Sequence, residues 1–249
     1  MTSGNQNQDS TPNYPDDSIQ FGVEPDPWWM NDGKREFQVG RLVWVFLPHM
    51  DNDPYAIETI RAKSTEHKEA LVKYHPFNVK AAVKYDSFPV APLPEYSGEF
   101  KCVYRCKKRP AMIVHAGGPE IPNELRRNKP RRQTDPCILV APFYGADEGG
   151  QRAGFSPAFV ERVRRCEYKQ FWWDILPEVG WKTDSIMRLD QVQPVGRNHS
   201  VVDVTNYSLS DTGLLIMEQF LEWFCYERLG KNSELGYFKQ EVSQLEYLC

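Results

Sequence analysis

The sequence predicts a mainly β fold with added helices, built as a small, strongly bent antiparallel sheet or open barrel. Apolar segments of strand length recur along the 249 residues, and long excursions separate them. The clearest segment, residues 40–47, is apolar on both faces, which is typical of a strand buried on both sides. A helix with a wide apolar surface follows near the C-terminus.

Composition divides the chain into three parts. Residues 1–36 are rich in proline and polar residues, which predicts a flexible N-terminal tail in which only Trp28 and Trp29 dock on the body. Residues 37–230 are predicted to form the barrel domain, with a long elaboration at 48–99. The remaining residues, from 231 to the C-terminus, are predicted to form a helical extension.

Capping residues and apolar periodicity place the helices. A short helix is predicted over 64–74 within the elaboration. A longer helix is predicted over 210–229, with Ser210 as its N-cap, and a last helix over 233–248. Segment 155–174 mixes aromatic residues with arginines, and two structures remain open for it: one extended strand, or a short helix followed by a strand.

The charge is unevenly distributed. The net charge is −4, yet residues 101–170 hold 15 Lys and Arg against 7 Asp and Glu. Such a cationic middle favours an anionic partner, such as RNA or an acidic protein segment, or else is a solvated basic face. Within it, the polar loop 119–136 concentrates five cations, Arg126, Arg127, Lys129, Arg131 and Arg132.

Several classes of protein are excluded. No run approaches the ~18 apolar residues of a membrane span, and the polar N-terminus lacks the features of a signal peptide. The six cysteines are scattered, which indicates reduced thiols, and no second close pair completes a zinc site with Cys102 and Cys106. We therefore expect a cytoplasmic protein with no membrane partner, no metal and no other cofactor.

One charged strand stands out. Ser185–Val192 is predicted to be extended, so that Arg188 and Asp190 share a face, roughly 7 Å apart along the strand. Ile186 and Val192 flank the two charges and half enclose them. The pair is therefore either a structural ion pair or a reactive one.

Four segments, in chain order, resemble the MazF/PemK family (also typified by Kid), bacterial toxins that cleave RNA on an SH3-like barrel. The segments are Gly40–Val45, Lys108–Val114 with its Arg-Pro pair, Leu139–Pro142, and Ser185–Val192 followed by the apolar helix. Two departures are evident. The family is compact and lacks the insertion at 48–99, and Tyr144 occupies a position where the family commonly has threonine.

The resemblance implies a toxin-like endoribonuclease that cleaves single-stranded RNA without a metal, through attack of the neighbouring 2′-hydroxyl. It implies that Asp190 is the base and that Arg188 and Arg109 stabilise the charge of the phosphorane. Tyr144 would donate a hydrogen bond to a phosphoryl oxygen in place of the threonine. The resemblance also implies a homodimer, restrained by an antitoxin or other regulatory protein within a toxin–antitoxin or defence system.

Further residues are candidates for RNA binding. The cations of loop 119–136 would bind phosphates, and the aromatic residues Phe171, Trp172 and Trp173 would stack on unpaired bases, unless they serve core packing or a dimer contact. A second function stays open: a catalytically inactive barrel of the same fold that binds protein or nucleic acid as a regulatory module. Tyr144, the insertion and the acidic total charge motivate this alternative.

Overall fold

The computed structural model describes residues 12–23, 27–50, 52–61, 65, 70–77, 101–127, 129, 134–146, 154–177, 184–197 and 199–246. Its strands in chain order are β1 (Trp29–Asn31), β2 (Arg41–Pro48), β3 (Tyr55–Arg61), β4 (Ala70–Pro76), β5 (Lys101–Val103), β6 (Cys106–His115), β7 (Cys137–Gly145), β8 (Phe171–Ile175), β9 (Asp184–Arg188), β10 (Gln193–Gly196) and β11 (Val202–Leu209). Its α-helices are α1 (Pro157–Arg164), α2 (Asp211–Tyr226) and α3 (Glu234–Glu246).

The chain divides into two compact units. The larger comprises Met1–Val45 and Lys108–Cys249, and the smaller comprises Phe46–Lys107. In the larger unit the strands follow the order β1-β11-β2-β6-β7-β9-β8, with β10 also paired to β7. Neighbouring strands run antiparallel and form a half-barrel, which confirms the prediction of a mainly β fold with added helices.

The buried carboxylate of Asp174 on β8 bridges the two ends of this strand order. Its side chain is fully buried and accepts five hydrogen bonds. The donors are Trp28 Nε1 (2.9 Å), Trp29 Nε1 (3.2 Å), Trp172 Nε1 (3.2 Å), the Tyr14 hydroxyl (3.1 Å) and the Ile175 amide (2.8 Å). Because β1 begins at Trp29 and lies at the opposite end of the order from β8, side chains rather than a backbone ladder join these terminal strands. We call Asp174 with Tyr14, Trp28, Trp29 and Trp172 the Asp174 seam.

The N-terminal segment corrects the prediction of a flexible tail only at the residues that are buried, since residues 1–11 and 24–26 lie outside the described residues. The buried side chains are Tyr14, Ser18, Ile19, Gln20, Trp28 and Trp29. Asp17 also forms an ion pair with Arg164 of α1, at 2.6 Å. Proline excludes regular helix here but does not prevent an extended segment from burying its aromatic rings. The predicted docking of the two tryptophans is confirmed.

The smaller unit spans the region that was predicted to be an insertion over 48–99. Its described residues form a three-stranded sheet in the order β4-β3-β5. β3 pairs with β4 from Tyr55 opposite Pro76 to Arg61 opposite Ala70. The predicted helical insertion is therefore wrong for residues 70–74, because the cross-strand pairing of their β-branched and aromatic side chains overrides local helical periodicity. Residues 62–64, 66–69 and 78–100 lie outside the described residues.

The helices of the larger unit agree more closely with the sequence. The predicted N-cap of α2 is confirmed, since the Ser210 hydroxyl accepts a hydrogen bond from the Gly213 amide at 3.2 Å. The helix ends at Tyr226, earlier than predicted, because Glu227 adopts a left-handed conformation with φ of 55°. Segment 155–174 is a short helix, α1, followed by a strand, β8.

The core lies between the sheet and α2. Ile216, Met217 and Phe220 are buried on the helix, and the Phe220 ring lies 5.0 Å from that of Trp172. Trp172 also contacts Trp28, with ring centroids 5.5 Å apart. The Asp174 seam is thus continuous with the hydrophobic core, and its polar atoms lie beyond the access of solvent.

We predict that at pH 4 Asp174→Asn lowers the free energy of unfolding by about 3 kcal/mol, because the new amide group faces indole donors and leaves buried N–H groups without an acceptor. Chemical denaturation with fluorescence detection measures this loss. Asp203→Asn, at an exposed position on β11, serves as a matched control and should change stability by less than about 0.5 kcal/mol. An Asp174→Asn protein as stable as the wild type would contradict the assigned role of the seam.

The seam should also make stability depend on pH. Burial raises the pKa of Asp174 from its ordinary value to about 6, since desolvation outweighs the indole and phenol hydrogen bonds that favour the carboxylate. The folded state therefore holds this proton more tightly than the unfolded state does. Its stabilising contribution is complete below pH ~4 and is lost as the pH rises to ~6, a change of about 3 kcal/mol. Comparing denaturation of the wild type and Asp174→Asn at pH 4 and pH 7 isolates the effect; parallel pH profiles would contradict it.

Candidate functional site

The candidate site lies on three neighbouring strands, β6, β7 and β9. Ala111 on β6 faces Pro142 on β7. Arg109 lies two residues before Ala111, and Tyr144 lies two residues after Pro142. Because the strands are antiparallel and side chains alternate between faces, both side chains lie on one face of the sheet. The guanidinium carbon of Arg109 lies 4.1 Å from the centroid of the Tyr144 ring. This distance is that of a cation–π contact, which holds the guanidinium plane in a defined position.

The chain bulges immediately after β9. Met187 lies opposite Phe143 and Gln193 lies opposite Val140, so six steps along this part of the chain match three along β7. The excess residues form the 3₁₀ turn Leu189–Gln191, which separates β9 from β10. This turn corrects the prediction of one continuous strand over residues 185–192, since the extended segment ends at Arg188.

The turn folds Asp190 back onto Arg188. Arg188 donates from Nε to Asp190 Oδ1 at 2.7 Å and from Nη2 to Oδ2 at 2.6 Å. The predicted separation of Arg188 and Asp190, two side chains apart along a strand, is therefore wrong. Aspartate is disfavoured in strands, and here Asp190 lies in a turn. The two side chains are 27% and 34% exposed, so the pair is accessible to water.

Gln191 is a site residue that the sequence analysis did not select. The Tyr144 hydroxyl donates a hydrogen bond to Gln191 Oε1, which leaves the amide nitrogen of Gln191 as a donor of two further bonds. The available signal was its position directly after Asp190 in the Arg-x-Asp-Gln segment. We call this group the site cluster: Arg109, Tyr144, Arg188, Asp190 and Gln191.

The site cluster combines two guanidinium groups with one carboxylate, one phenol and one carboxamide. Arginine side chains present fixed forks of N–H donors that match phosphate oxygens. Asp190 can still accept a proton or a further hydrogen bond, because each carboxylate oxygen has a second lone pair. Among the described residues, no group of three or more His, Cys, Asp and Glu side chains is placed to hold a metal ion.

Trp172 corrects the predicted RNA-binding set. Its side chain is 1% exposed, packs against Phe220 and donates its indole N–H to Asp174. It therefore cannot stack on a base. Phe171, one residue earlier, points to the other face of β8, is partly buried and lies opposite Arg188. The guanidinium carbon of Arg188 is 5.2 Å from its ring centroid.

The basic loop is described only in part. Arg127 and Lys129 are exposed and Arg126 is half-buried, whereas Arg131 and Arg132 lie outside the described residues. Arg127 has a φ of 47°, an uncommon conformation for a side-chain-bearing residue. Of the described cations, Arg127 and Lys129 are presented to solvent, as a phosphate-binding surface requires.

Comparison with known proteins adds no assignment. No family model matches the chain, and the searches of curated proteins and of solved structures found no significant match. Among the described residues, no helix has the length and apolar character needed to cross a membrane.

The Arg188–Asp190 pair should contribute little to stability, because both side chains are partly exposed. A double-mutant cycle with Arg188→Gln and Asp190→Asn measures the coupling directly, by chemical denaturation of the two single variants and the double variant. We expect a coupling free energy of about 0.5–1 kcal/mol. A coupling above about 3 kcal/mol would show a pair enclosed away from water, and would contradict the observed exposure.

Proposed function

We propose that this chain is an endoribonuclease of the MazF/PemK type, which cleaves single-stranded RNA through attack of the 2′-hydroxyl next to the scissile phosphate. The observation that carries the proposal is the site cluster. The Arg-Pro strand β6 and Tyr144 on β7 supply hydrogen-bond donors. The Arg-x-Asp-Gln stretch, at the end of β9 and in the turn after it, supplies a proton acceptor and further donors.

In the proposed reaction, Asp190 accepts the proton of the 2′-hydroxyl as its oxygen attacks phosphorus. Arg109 and Arg188 bind the phosphoryl oxygens and stabilise the negative charge that develops on them. Tyr144 exchanges its hydrogen bond to Gln191 for one donated to the same group. The bond from phosphorus to the 5′-oxygen then breaks, water supplies a proton to that oxygen, and a 2′,3′-cyclic phosphate remains.

The geometry suits an electrostatic role for both arginines. A guanidinium keeps its proton at all physiological pH values, so it stabilises charge rather than acting as a general acid. Arg109 lies over the Tyr144 ring and Arg188 over the Phe171 ring, and both contacts restrict the side chains before substrate binds. Less conformational freedom is then lost when a phosphate binds.

The remaining parts of the proposal follow from the same resemblance. The half-barrel would be of the SH3-like MazF type, with α2 as its closing helix. The protein would act in the cytoplasm as a homodimer, within a toxin–antitoxin or defence system, and an antitoxin or regulatory protein would restrain it. The exposed cations Arg127 and Lys129 would bind RNA phosphates at a distance from the cleaved bond.

We predict that Asp190→Asn lowers the rate of cleavage of a single-stranded RNA by 10²- to 10⁴-fold, roughly the contribution of a positioned general base. Cleavage of an end-labelled oligonucleotide, followed on a denaturing gel in the presence of a chelator, measures the rate. Asp203→Asn is the matched control, because Asp203 is an exposed aspartate on β11 whose carboxylate is 3.5 Å from Lys108 Nζ. Its cleavage rate should equal that of the wild type.

Two outcomes would contradict the proposal. One is intact RNA after incubation with folded wild-type protein at low salt. The other is cleavage that Asp190→Asn and Asp203→Asn reduce to the same small extent. Thermal denaturation of each variant shows that a lost rate is not a lost fold.

A second candidate function is a catalytically inactive barrel that binds protein or nucleic acid as a regulatory module. Two observations favour it: both carboxylate oxygens of Asp190 are held by Arg188, and the Tyr144 ring covers one face of the Arg109 guanidinium. Such a module would bind single-stranded RNA or a protein partner without changing the RNA. Binding with steep salt dependence and no cleavage would select this candidate.

A further inference from the structure

A cluster of aromatic side chains adjoins the site cluster but takes no part in the proposed chemistry. Phe155, Phe159 and Tyr168 lie on and around α1, and Phe171 begins β8. All four are partly buried, unlike the neighbouring Trp172 and Trp173, whose side chains are buried in the core. We call these four residues the α1 aromatic cluster.

The rings of the α1 aromatic cluster hold each other in place. Phe159 is central: its ring centroid lies 5.1 Å from that of Phe155, 5.6 Å from that of Tyr168 and 5.3 Å from that of Phe171. The Phe159 and Phe171 rings meet at 82°, an edge-to-face contact, whereas the other two pairs are tilted by 37° and 35°. Such a network is rigid before any ligand binds.

Helix α1 is attached to the rest of the unit by contacts other than these rings. Helix α1 has a separate buried face, formed by Val160 and Val163, and Cys166 follows it into the core. The ion pair between Asp17 and Arg164 adds a further link to the N-terminal segment. The rings of the α1 aromatic cluster also pack against the core, in addition to these contacts.

Two arginines border the cluster, and each is also paired with a carboxylate, Arg188 with Asp190 and Arg162 with Glu167. The guanidinium carbon of Arg188 is 5.2 Å from the Phe171 ring centroid, and that of Arg162 is 5.1 Å from the Tyr168 ring centroid. Arg188 is the same residue that pairs with Asp190 in the site cluster. A partly exposed aromatic surface bordered by guanidinium groups has the composition of sites that stack unpaired bases and bind the adjoining phosphates.

We propose that the α1 aromatic cluster is a binding site for one unpaired nucleobase of single-stranded RNA, in which the base stacks on Phe171 in place of the Arg188 guanidinium, which turns to the adjoining phosphate. The site rests on the proposed function, because it places the base beside the phosphate that Arg188 binds. It would contribute affinity and a preference for the base at one position, and it would take no part in bond cleavage. It also replaces Trp172, which the sequence analysis had selected for this role.

The test uses a short single-stranded RNA whose 2′-hydroxyls are methylated, so that it binds without being cleaved. Abasic residues replace its bases one position at a time, and fluorescence anisotropy measures each dissociation constant. For the wild-type protein, we expect one abasic position to weaken binding by about tenfold, the loss of one stacked base. For Phe171→Leu, which keeps an apolar side chain of similar volume, the unmodified RNA should bind about tenfold more weakly, and that abasic position should have no further effect.

Phe224→Leu on α2 is the matched control, since Phe224 is also partly buried and lies outside both clusters. It should bind all RNAs as the wild type does. The inferred site is wrong if Phe171→Leu keeps the affinity and the abasic sensitivity of the wild type while unmethylated RNA is still cleaved. Absence of RNA binding by the wild-type protein would overturn the proposed function together with the inferred site. The abasic series with wild-type protein remains decisive even if Phe171→Leu fails to fold.

Discussion

The buried carboxylate of Asp174 is the interaction on which the arrangement of the larger unit depends. An open sheet leaves two edges, and here side chains from the ends of the strand order converge on one acceptor. Three indole N–H groups and a phenol would each be costly to bury alone, and the carboxylate would be costly to bury without them. Together they fix the N-terminal segment against β8, the neighbour of the strand that ends at Arg188.

The geometry of the site depends on a local irregularity in the sheet, the turn that follows β9. A regular strand over residues 185–192 would have placed Arg188 and Asp190 side by side on one face, several ångströms apart. The three-residue bulge at Leu189–Gln191 instead turns Asp190 back onto Arg188 and brings Gln191 to the Tyr144 hydroxyl. Bulges next to functional groups commonly redirect side chains in this way. The bulge is kept in register because β7 pairs with β9 on one side of it and with β10 on the other.

Local patterns in the sequence predicted the elements whose stability is local. Ser210 as the N-cap of α2 and the strand at 40–47 are such cases, since capping and a run of apolar residues leave direct marks on composition. The expected burial of this strand on both faces is wrong at Phe46, whose side chain is 64% exposed. The failures involve pairing between distant segments. Residues 70–74 form a strand because they pair with β3. Tyr14 is buried because its hydroxyl donates to Asp174, which lies 160 positions further along the chain. No window of sequence contains such information.

The candidate site shows the same division. Arg188 and Asp190 could be selected from the pattern of one strand, and Arg109 and Tyr144 through the resemblance to the MazF/PemK family. Their contacts could not be predicted, since these depend on the register of β6 with β7 and on the bulge. Trp172 and Phe171 are one residue apart, and which ring is buried depends on which face of β8 packs against the core. Gln191 was missed because its role arises from the Tyr144 hydroxyl rather than from its own chemistry.

The measurement that tests the central claim most directly is the chemical identity of the RNA ends after incubation with the purified chain and a chelator. Mass spectrometry of a defined single-stranded oligonucleotide should find fragments that end in a 2′,3′-cyclic phosphate, together with fragments that begin with a free 5′-hydroxyl. An oligonucleotide with one 2′-deoxy residue at the cleaved position should remain intact. An upstream fragment whose new 3′ end is a free hydroxyl, or cleavage of the 2′-deoxy oligonucleotide, would contradict attack by the 2′-hydroxyl and with it the proposed role of the site cluster.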